Sequence, residues 1–260
     1  MTTEIPTGKN APSFLTQQNG DKIAYHYTEG RTPGVIFLHG LMSDMDGGKA
    51  LAVEEFCKKR GNAFLRFDCQ GHGLSDGAFK EGTIERWSND TVDMLDQVAK
   101  GPQILIGSSM GGWNMILSAL KRPDRIAGLI GIAAAPDFTE DLMMEDLTAD
   151  QHKLVQEQGY VEIPCDYGDE PYVISKVLLE NGRENLVLRK PIPLDVPVRL
   201  LHGKKDDDVP WQTALRLEQM LTSDDVEITF IKNGDHRLSE EHDLDRLTRT
   251  LDALLKQIEN

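Results

Sequence analysis

The chain has 260 residues, of which 43 are acidic and 28 basic, giving a formal net charge of −15 at pH 7. This balance argues against nucleic acid and anionic membrane surfaces as main partners, because both bind clustered cations. The longest nearly unbroken apolar run, Ala127 to Ala135, is too short to span a bilayer. Met1 to Pro12 has neither the apolar core of a signal peptide nor the arginines of a transit peptide. We expect a cytoplasmic protein whose three scattered cysteines are reduced, namely Cys57, Cys69 and Cys165.

Strands and helices are predicted to alternate through the first half of the chain. Val35 to Leu38 is uniformly apolar, as expected of a parallel strand that is covered on both faces. Lys22 to Tyr27 alternates apolar and polar residues and predicts an early edge strand. Apolar residues three and four positions apart after Thr83 predict an amphipathic helix. This rhythm is typical of βαβ units and of a mostly parallel sheet with helices on both faces. The other elements predicted here are a helix from Gly48 to Arg60, ended by Gly61, and strands at Ala63 to Phe67 and Ala127 to Ala133.

A Gly-x-Ser-x-Gly motif lies between a predicted strand at Ile104 to Ile106 and a predicted helix at Asn114 to Lys121. This order is that of a nucleophile elbow, in which a serine sits on a sharp, strained turn. Gly107 and Gly111 would let the strand and the helix pack closely around that turn. Only Ser109 has a glycine two positions before it and two after it, so it is the candidate nucleophile. An inert turn is the alternative, because five-residue motifs also occur by chance.

The alternation of strands and helices breaks after Pro136. About fifty residues then precede the next core strand, too many for a simple connection and too few for a domain. We expect a single α/β domain over residues 1–260, with a lid at about 137–190 inserted after the sixth core strand. Within the lid, helical patterns cover Leu142 to Leu147, Gln151 to Gln158 and Val173 to Glu180, around an irregular piece from Tyr160 to Tyr172. The core is predicted to resume with a strand at Val198 to Leu201, a helix introduced by Pro210, a strand at Val226 to Ile231 and a closing helix with Leu244, Leu247, Leu251, Leu254 and Ile258 on one face.

Partners for the candidate nucleophile follow in the second half of the chain. A serine hydroxyl becomes a good nucleophile only when a base takes its proton and a third group orients that base. After a nucleophile elbow, the acid comes next along the chain and the histidine last. Three adjacent acids, Asp206 to Asp208, follow one late predicted strand, and His236 follows the next. Both lie at the carboxyl ends of strands, where open α/β sheets place their sites. Asp206 is the first candidate for the acid, and Asp137, which follows an earlier strand, is the alternative.

Two backbone amides are expected to stabilise negative charge on the attacked oxygen. One belongs to Met110, directly after the nucleophile, and Leu41, in the loop after the Leu38 strand, is the best candidate for the other. No histidine or cysteine pair has the spacing of a metal site, so no metal and no cofactor are expected. The remaining histidines receive no catalytic role: His39 and His202 are expected to hydrogen-bond loop backbone, and His26, His72, His152 and His242 have no partner signature.

Taken together, these motifs resemble those of an α/β-hydrolase over essentially the full length of the chain. They are similar to those of the abhydrolase-domain-containing protein 10 group, whose eukaryotic member is a mitochondrial palmitoyl-protein thioesterase that also cleaves acyl glucuronides. The resemblance implies an α/β-hydrolase fold with Ser109 as nucleophile, Asp206 as acid and His236 as base, and it ranks Asp206 above Asp137. It leaves a mitochondrial matrix location open for a mature eukaryotic chain. The segments that carry it are Phe37 to Met45, Asp68 to Ser75, Gly107 to Trp113, Leu200 to Trp211 and Asp235 to Arg237.

We therefore expect a serine esterase or thioesterase that acts through an acyl-serine intermediate on a small-molecule or lipidated acyl substrate. Met143, Met144 and Tyr160 are the candidate substrate-binding residues, and burial inside the lid itself is the alternative for them. C–C bond hydrolases and perhydrolases use the same triad and remain alternative functions. A ligand-binding receptor that keeps the fold without turnover is a further alternative. Acyl-chain length, leaving group and oligomeric state are not predicted.

Overall fold

The computed structural model describes residues 11–164 and 171–260, in which strands and helices alternate. The strands are β1 (Ser13–Thr16), β2 (Lys22–Thr28), β3 (Arg31–Leu38), β4 (Asn62–Phe67), β5 (Gln103–Ser108), β6 (Ile126–Ile132), β7 (Tyr160–Ile163), β8 (Tyr172–Ser175), β9 (Val198–Gly203) and β10 (Val226–Ile231). The helices are α1 (Gly48–Arg60), α2 (Ile84–Gln97), α3 (Met110–Lys121), α4 (Met144–Asp146), α5 (Ala149–Gln158), α6 (Lys176–Glu184), α7 (Gln212–Met220) and α8 (Glu241–Glu259).

Eight of these strands form one sheet, in the order β1-β2-β4-β3-β5-β6-β9-β10. From β4 to β10 all neighbouring strands are parallel, whereas β2 runs antiparallel to both β1 and β4. The prediction of an edge strand at Lys22 to Tyr27 is therefore wrong in its position, because β1 pairs with β2 and takes the edge. The parallel strands bring their carboxyl ends to one side of the sheet, which is where a site is expected.

Helices cover both faces of the sheet. Successive residues of each buried strand point to opposite faces, so the central strands contribute to an apolar cluster on each side. On one face, Val35 and Ile104 pack in an apolar cluster with Leu251 of α8. On the other face, Leu105 belongs to a larger cluster that includes Trp113 of α3. With both faces covered, the central strands are continuous apolar runs instead of alternating ones.

The ends of the first two long helices follow from local sequence. Helix α1 has the predicted bounds, and Gly61 ends it with a φ of 85°, a conformation that glycine adopts without strain. The Thr83 side chain accepts a hydrogen bond from the Arg86 amide and so caps the start of α2.

The connection between β6 and β9 carries residues 137–190, which we call the insertion; its described parts are 137–164 and 171–190. It contains a π-helical turn at Thr139–Met143, then α4, α5, the antiparallel pair β7 and β8, and α6. The predicted helix over Val173 to Glu180 is wrong at its start, because aromatic and β-branched residues in β8 pair with β7 and α6 begins only at Lys176. Part of the irregular piece predicted from Tyr160 to Tyr172 lies outside the described residues. The insertion has a small apolar cluster of its own, made of Leu147, Val155, Val161, Ile174 and Leu179.

Two features bear on the environment of the chain. Cys57 and Cys69 are buried free thiols, and Cys165 lies outside the described residues. None of the helices in the described ranges combines the length and the apolar character that crossing a bilayer requires.

Candidate active site

Ser109 occupies the turn between β5 and α3, with a positive φ of 54° and a ψ of −120°. A residue other than glycine is strained there, and such strain persists only where the surroundings hold it. The surroundings are close on both sides. A Cβ on Gly107 would collide with the Gly111 carbonyl, and a Cβ on Gly111 would collide with the Leu38 carbonyl. The two glycines of the motif therefore let β5, α3 and β3 meet at the turn that holds Ser109.

The structure brings Ser109, His236 and Asp206 together. His236 Nδ1 lies 2.8 Å from Asp206 Oδ2, and His236 Nε2 lies 3.0 Å from Ser109 Oγ. Because Nδ1 faces a carboxylate, it carries the ring proton and donates it, which leaves Nε2 to accept from the serine hydroxyl. Asp206 follows β9 and His236 follows β10, so each partner comes from the carboxyl end of a different strand.

The Asp206 carboxylate is buried and fully engaged. Its Oδ1 accepts from the Asp208 amide at 3.0 Å and from the Val209 amide at 2.8 Å. Burial alone would raise the pKa of this carboxyl, but hydrogen bonds from His202 and His236 outweigh burial and hold the pKa well below the ordinary aspartate value. Asp206 is therefore ionised throughout the range in which a histidine base operates.

The other candidate acids have different positions. Asp137 is fully buried, and its carboxylate accepts from the Val187 amide at 2.7 Å and the Leu188 amide at 2.9 Å. Its Oδ2 also pairs with Arg189 at 3.1 Å. Asp137 thus ties the two ends of the insertion together and does not face the imidazole. Asp207 is exposed on the loop surface.

The predicted oxyanion donors lie on either side of Ser109. Met110 is the first residue of α3, whose first amides have no partner within the helix. Leu41 follows Gly40, where a Cβ would lie 3.4 Å from the Ser109 Cβ, so this loop passes directly beside the nucleophile. Both residues line the same cavity as Ser109. Their amides therefore remain the candidate donors to a negatively charged oxygen above the serine.

Two buried histidines hold the loop that carries Leu41. His39 Nδ1 donates to the Gly40 carbonyl at 2.8 Å, and its Nε2 accepts from the Cys69 amide at 3.0 Å, as expected of a histidine that bonds loop backbone. His72 Nε2 accepts from the Met42 amide at 3.3 Å, a contact that the sequence pattern does not reveal. Burial, followed by the neighbouring His39, lowers the pKa of His72 to about 3, so it remains a neutral acceptor.

A cavity of about 1060 Å³ opens at Ser109 and extends under the insertion. Met143 lines it, as predicted. Met144 packs beside the insertion's own cluster, and Tyr160 of β7 pairs with Ser175 of β8, so both lie outside the lining of this cavity. Polar residues also line the cavity, among them Lys49, whose pKa is lowered to about 8 by burial and by Arg237. Apolar lining residues that the sequence reasoning missed are Phe138, Leu142, Ile163 and Ile174.

Asp206, Asp208 and His236 offer possible metal-ligating atoms within 4.8 Å of one another. Because the Asp206 carboxylate and His236 Nδ1 are bonded to each other, we assign them to the hydrogen-bonded triad and not to a metal. The chemistry that this arrangement supports is nucleophilic attack by an activated serine.

Known proteins resemble this chain along most of its length. A family model described as serine aminopeptidase, S33, matches residues 32–158. A relative from Mus musculus named palmitoyl-protein thioesterase ABHD10, mitochondrial, is 42% identical over 251 residues, which cover 96% of this chain and 84% of that protein. The chain belongs to the ABHD10 family of α/β-hydrolases.

Solved structures related to the ABHD10 family share the fold. Alpha/beta hydrolase domain-containing protein 10 from mouse has a TM-score of 0.88 and 42% identity, over 95% of this chain and 99% of that one. A putative hydrolase from Agrobacterium vitis S4 has a TM-score of 0.90 and 37% identity, over 94% of this chain and 98% of that one. The predictions of an α/β-hydrolase fold and of an enzyme that hydrolyses ester or thioester bonds are confirmed.

Proposed function

We propose that the chain cleaves long-chain acyl thioesters and esters through an acyl-serine intermediate, with Ser109 as nucleophile, His236 as base and Asp206 as acid. The observation that carries this proposal is the continuous line of hydrogen bonds from Ser109 through His236 to Asp206. At its Ser109 end, this line of hydrogen bonds faces a cavity large enough for an extended apolar substrate.

In the first half of the reaction, the Ser109 oxygen attacks the acyl carbonyl carbon while His236 Nε2 takes the hydroxyl proton. The products of this step are a tetrahedral oxyanion and an imidazolium, which Asp206 stabilises. The Leu41 and Met110 amides donate to the oxyanion, each contributing about 3–4 kcal/mol. The imidazolium then gives its proton to the leaving sulfur or oxygen as that bond breaks, which leaves Ser109 acylated.

In the second half, a water molecule attacks the acyl-Ser109 ester while His236 Nε2 takes one of its protons. Collapse of the second tetrahedral intermediate releases the carboxylic acid and returns the proton to the Ser109 oxygen. The free enzyme is restored without any change in its redox state.

The acyl chain is assigned to the side of the cavity beneath the insertion. Phe138, Leu142, Met143, Ile163 and Ile174 supply apolar surface there. An acyl chain buried against such surface gains about 0.8 kcal/mol for each CH₂ group removed from water. Together with relatives named as palmitoyl-protein thioesterases, this lining supports a long-chain acyl substrate.

The relatives are named as mitochondrial, so we propose the mitochondrial matrix as an alternative to the cytoplasm predicted from the sequence. Subcellular fractionation of cells that express the tagged chain distinguishes the two compartments.

Covalent labelling and a graded substrate panel test the proposed function. A fluorophosphonate should label the wild-type protein and leave S109A unlabelled. Acyl thioesters and p-nitrophenyl esters of increasing chain length should be hydrolysed with a kcat/KM that rises towards long chains. Activity confined to short esters would contradict the long-chain assignment.

Two neighbouring aspartates provide a matched control. D206N should lose most activity, because the imidazole is left without its orienting carboxylate, while D207N at the exposed neighbour should keep it. The reverse result would refute the assignment of the acid. Labelling without hydrolysis of any ester or thioester would instead favour a C–C bond hydrolase or perhydrolase, and absence of labelling would favour a receptor.

A further inference from the structure

Asp206 has a second imidazole partner besides His236. His202, at the end of β9, places Nε2 3.2 Å from Asp206 Oδ2, the same oxygen that faces His236 Nδ1. The His202 side chain is 1% exposed and the Asp206 side chain is fully buried. This contact is therefore shielded from water. In the protein interior, a hydrogen bond to a charged group is stronger than on the surface.

The surroundings of His202 Nε2 determine where its proton lies. The nitrogen also lies 3.0 Å from the Val209 carbonyl oxygen. Both neighbours are acceptors, so Nε2 must carry a proton that is shared between them. The amide of Val209 in turn donates to Asp206 Oδ1. His202 thus contacts both ends of the loop from Asp206 to Val209 and holds Val209 beside the Asp206 carboxylate.

With His202 included, four donors surround the Asp206 carboxylate. The Asp208 and Val209 amides bind Oδ1, while the His202 and His236 rings bind Oδ2. Two donors on each oxygen fix the plane of the carboxylate.

We propose that His202 is a positioning residue for Asp206, a role that rests on the proposed catalytic function of the triad. Its Nε2–H fixes Oδ2 in front of His236 and withdraws part of the carboxylate charge from the imidazolium that forms during catalysis. Two further carboxylates lie beside the pair. An Asp208 carboxylate oxygen lies within 4.8 Å of ligand atoms of Asp206 and His236, and Asp235, next to His236 in the chain, accepts at Oδ1 from the Leu238 amide.

Substitutions that keep or remove a donor at the Nε2 position test the proposal. In H202F and H202N that donor is lost, whereas the side-chain amide of H202Q reaches the same point. We expect kcat/KM to fall about tenfold in H202F and H202N and to recover in H202Q, a loss typical of residues that orient a catalytic ligand.

The pH profile separates this role from a general loss of stability. The Asp208 and Val209 amides still hold Asp206 in H202F, so its less compensated charge should stabilise the imidazolium. The acid limb of kcat/KM should then move to higher pH by about 0.5 to 1 unit. V198A, a cavity-forming change in the same strand, should lower Tm without moving this limb. An unchanged limb in a folded H202F protein would overturn the proposal.

An NMR experiment tests the His202 hydrogen bond without measuring activity and without substituting His202. In ¹⁵N-histidine-labelled wild-type protein, NMR should find the His202 proton on Nε2, with a resonance that moves when D206A removes the acceptor. A proton on His202 Nδ1, or a His202 resonance that does not shift in D206A, would overturn the inference. If the resonance behaves as expected but no ester or thioester is hydrolysed, the proposed function fails while the hydrogen bond to Asp206 stands.

Discussion

Ser109 keeps its positive φ because backbone from three elements meets around it. Gly111 has no space for a Cβ beside the Leu38 carbonyl, and Gly107 has none beside the Gly111 carbonyl. Gly48 provides a contrast, since nothing lies within 4 Å of its Cβ position and its φ is not in the left-handed region. A larger side chain is therefore excluded at Gly111 and has free space at Gly48.

This contrast predicts different effects for two alanine substitutions. G111A should lower the free energy of unfolding by about 3 kcal/mol, because the new Cβ forces α3 away from β3. G48A, in the first turn of α1, should be neutral or stabilising by up to about 1 kcal/mol. Urea unfolding measures both, and equal stability of the two variants would contradict this account of the elbow.

Residues of the site differ in how far the sequence reveals them. Ser109, Asp206 and His236 can be predicted because each follows a strand pattern and their chain order matches that of nucleophile elbows. The His72 contact cannot be predicted, because its partner is the main-chain amide of Met42 in another loop, whose position is set only when the two loops meet. His202 bonds the Val209 carbonyl, a loop-backbone contact of the kind predicted, but its contact with Asp206 depends on how the loop after β9 turns.

At the scale of elements, the insertion is held closed at its base by one buried carboxylate. Asp137, in a positive φ conformation at the start of the insertion, binds the amides of Val187 and Leu188 at its end. Burial raises the pKa of this carboxyl, and the two amides oppose that effect. Asp141, one turn later, pairs with Arg189 and Arg216 and extends the same connection to α7.

Removal of this carboxylate should loosen the insertion without removing the triad. D137A leaves two buried amides without an acceptor, at a cost of about 1–3 kcal/mol each. Hydrogen exchange at Val187 and Leu188 should accelerate, and hydrolysis should remain well above that of D206A. Loss of activity equal to that of D206A, with unchanged exchange, would mean that Asp137 acts on the imidazole instead.

The elements themselves were unequally predictable. The central parallel strands are buried on both faces and so form continuous apolar runs that the sequence displays. Strands β7 and β8 have four residues each and pair only with each other, so the pattern of their residues does not distinguish them from helix. Likewise, the four residues of β1 are too few to predict a strand, and its place at the edge of the sheet follows only from its pairing with β2.

At the scale of the whole molecule, buried carboxylates join segments that are distant in the sequence. Asp68 accepts from the Met45 and Leu74 amides, and Asp90 accepts from the Gln70 amide and the Gln17 side chain. Burial raises the pKa of each carboxyl to about 6, although these hydrogen bonds oppose the effect. The two groups therefore hold protons in the folded state that the unfolded chain has already lost.

Between about pH 4 and pH 6 the folded state binds more protons, so these groups make the free energy of unfolding fall as the pH rises. D90N removes one ionisation, and the fall should be smaller than in wild type by up to about 3 kcal/mol. Chemical unfolding at a series of pH values tests this, with exposed D124N as the control for net charge. Parallel curves for wild type and D90N would contradict it.

The proposed triad is assembled from parts of the chain that are synthesised far apart in time. Ser109 and His236 are separated by 127 residues, and Asp206 and His236 by 30. A serine without its base is a weak nucleophile. In the proposed mechanism, Ser109 is therefore inert during translation until β10 and the loop that carries His236 have left the ribosome and joined the sheet. The enzyme cannot acylate itself on cellular thioesters while it is still a nascent chain, and the onset of serine reactivity marks the moment at which its last strand docks.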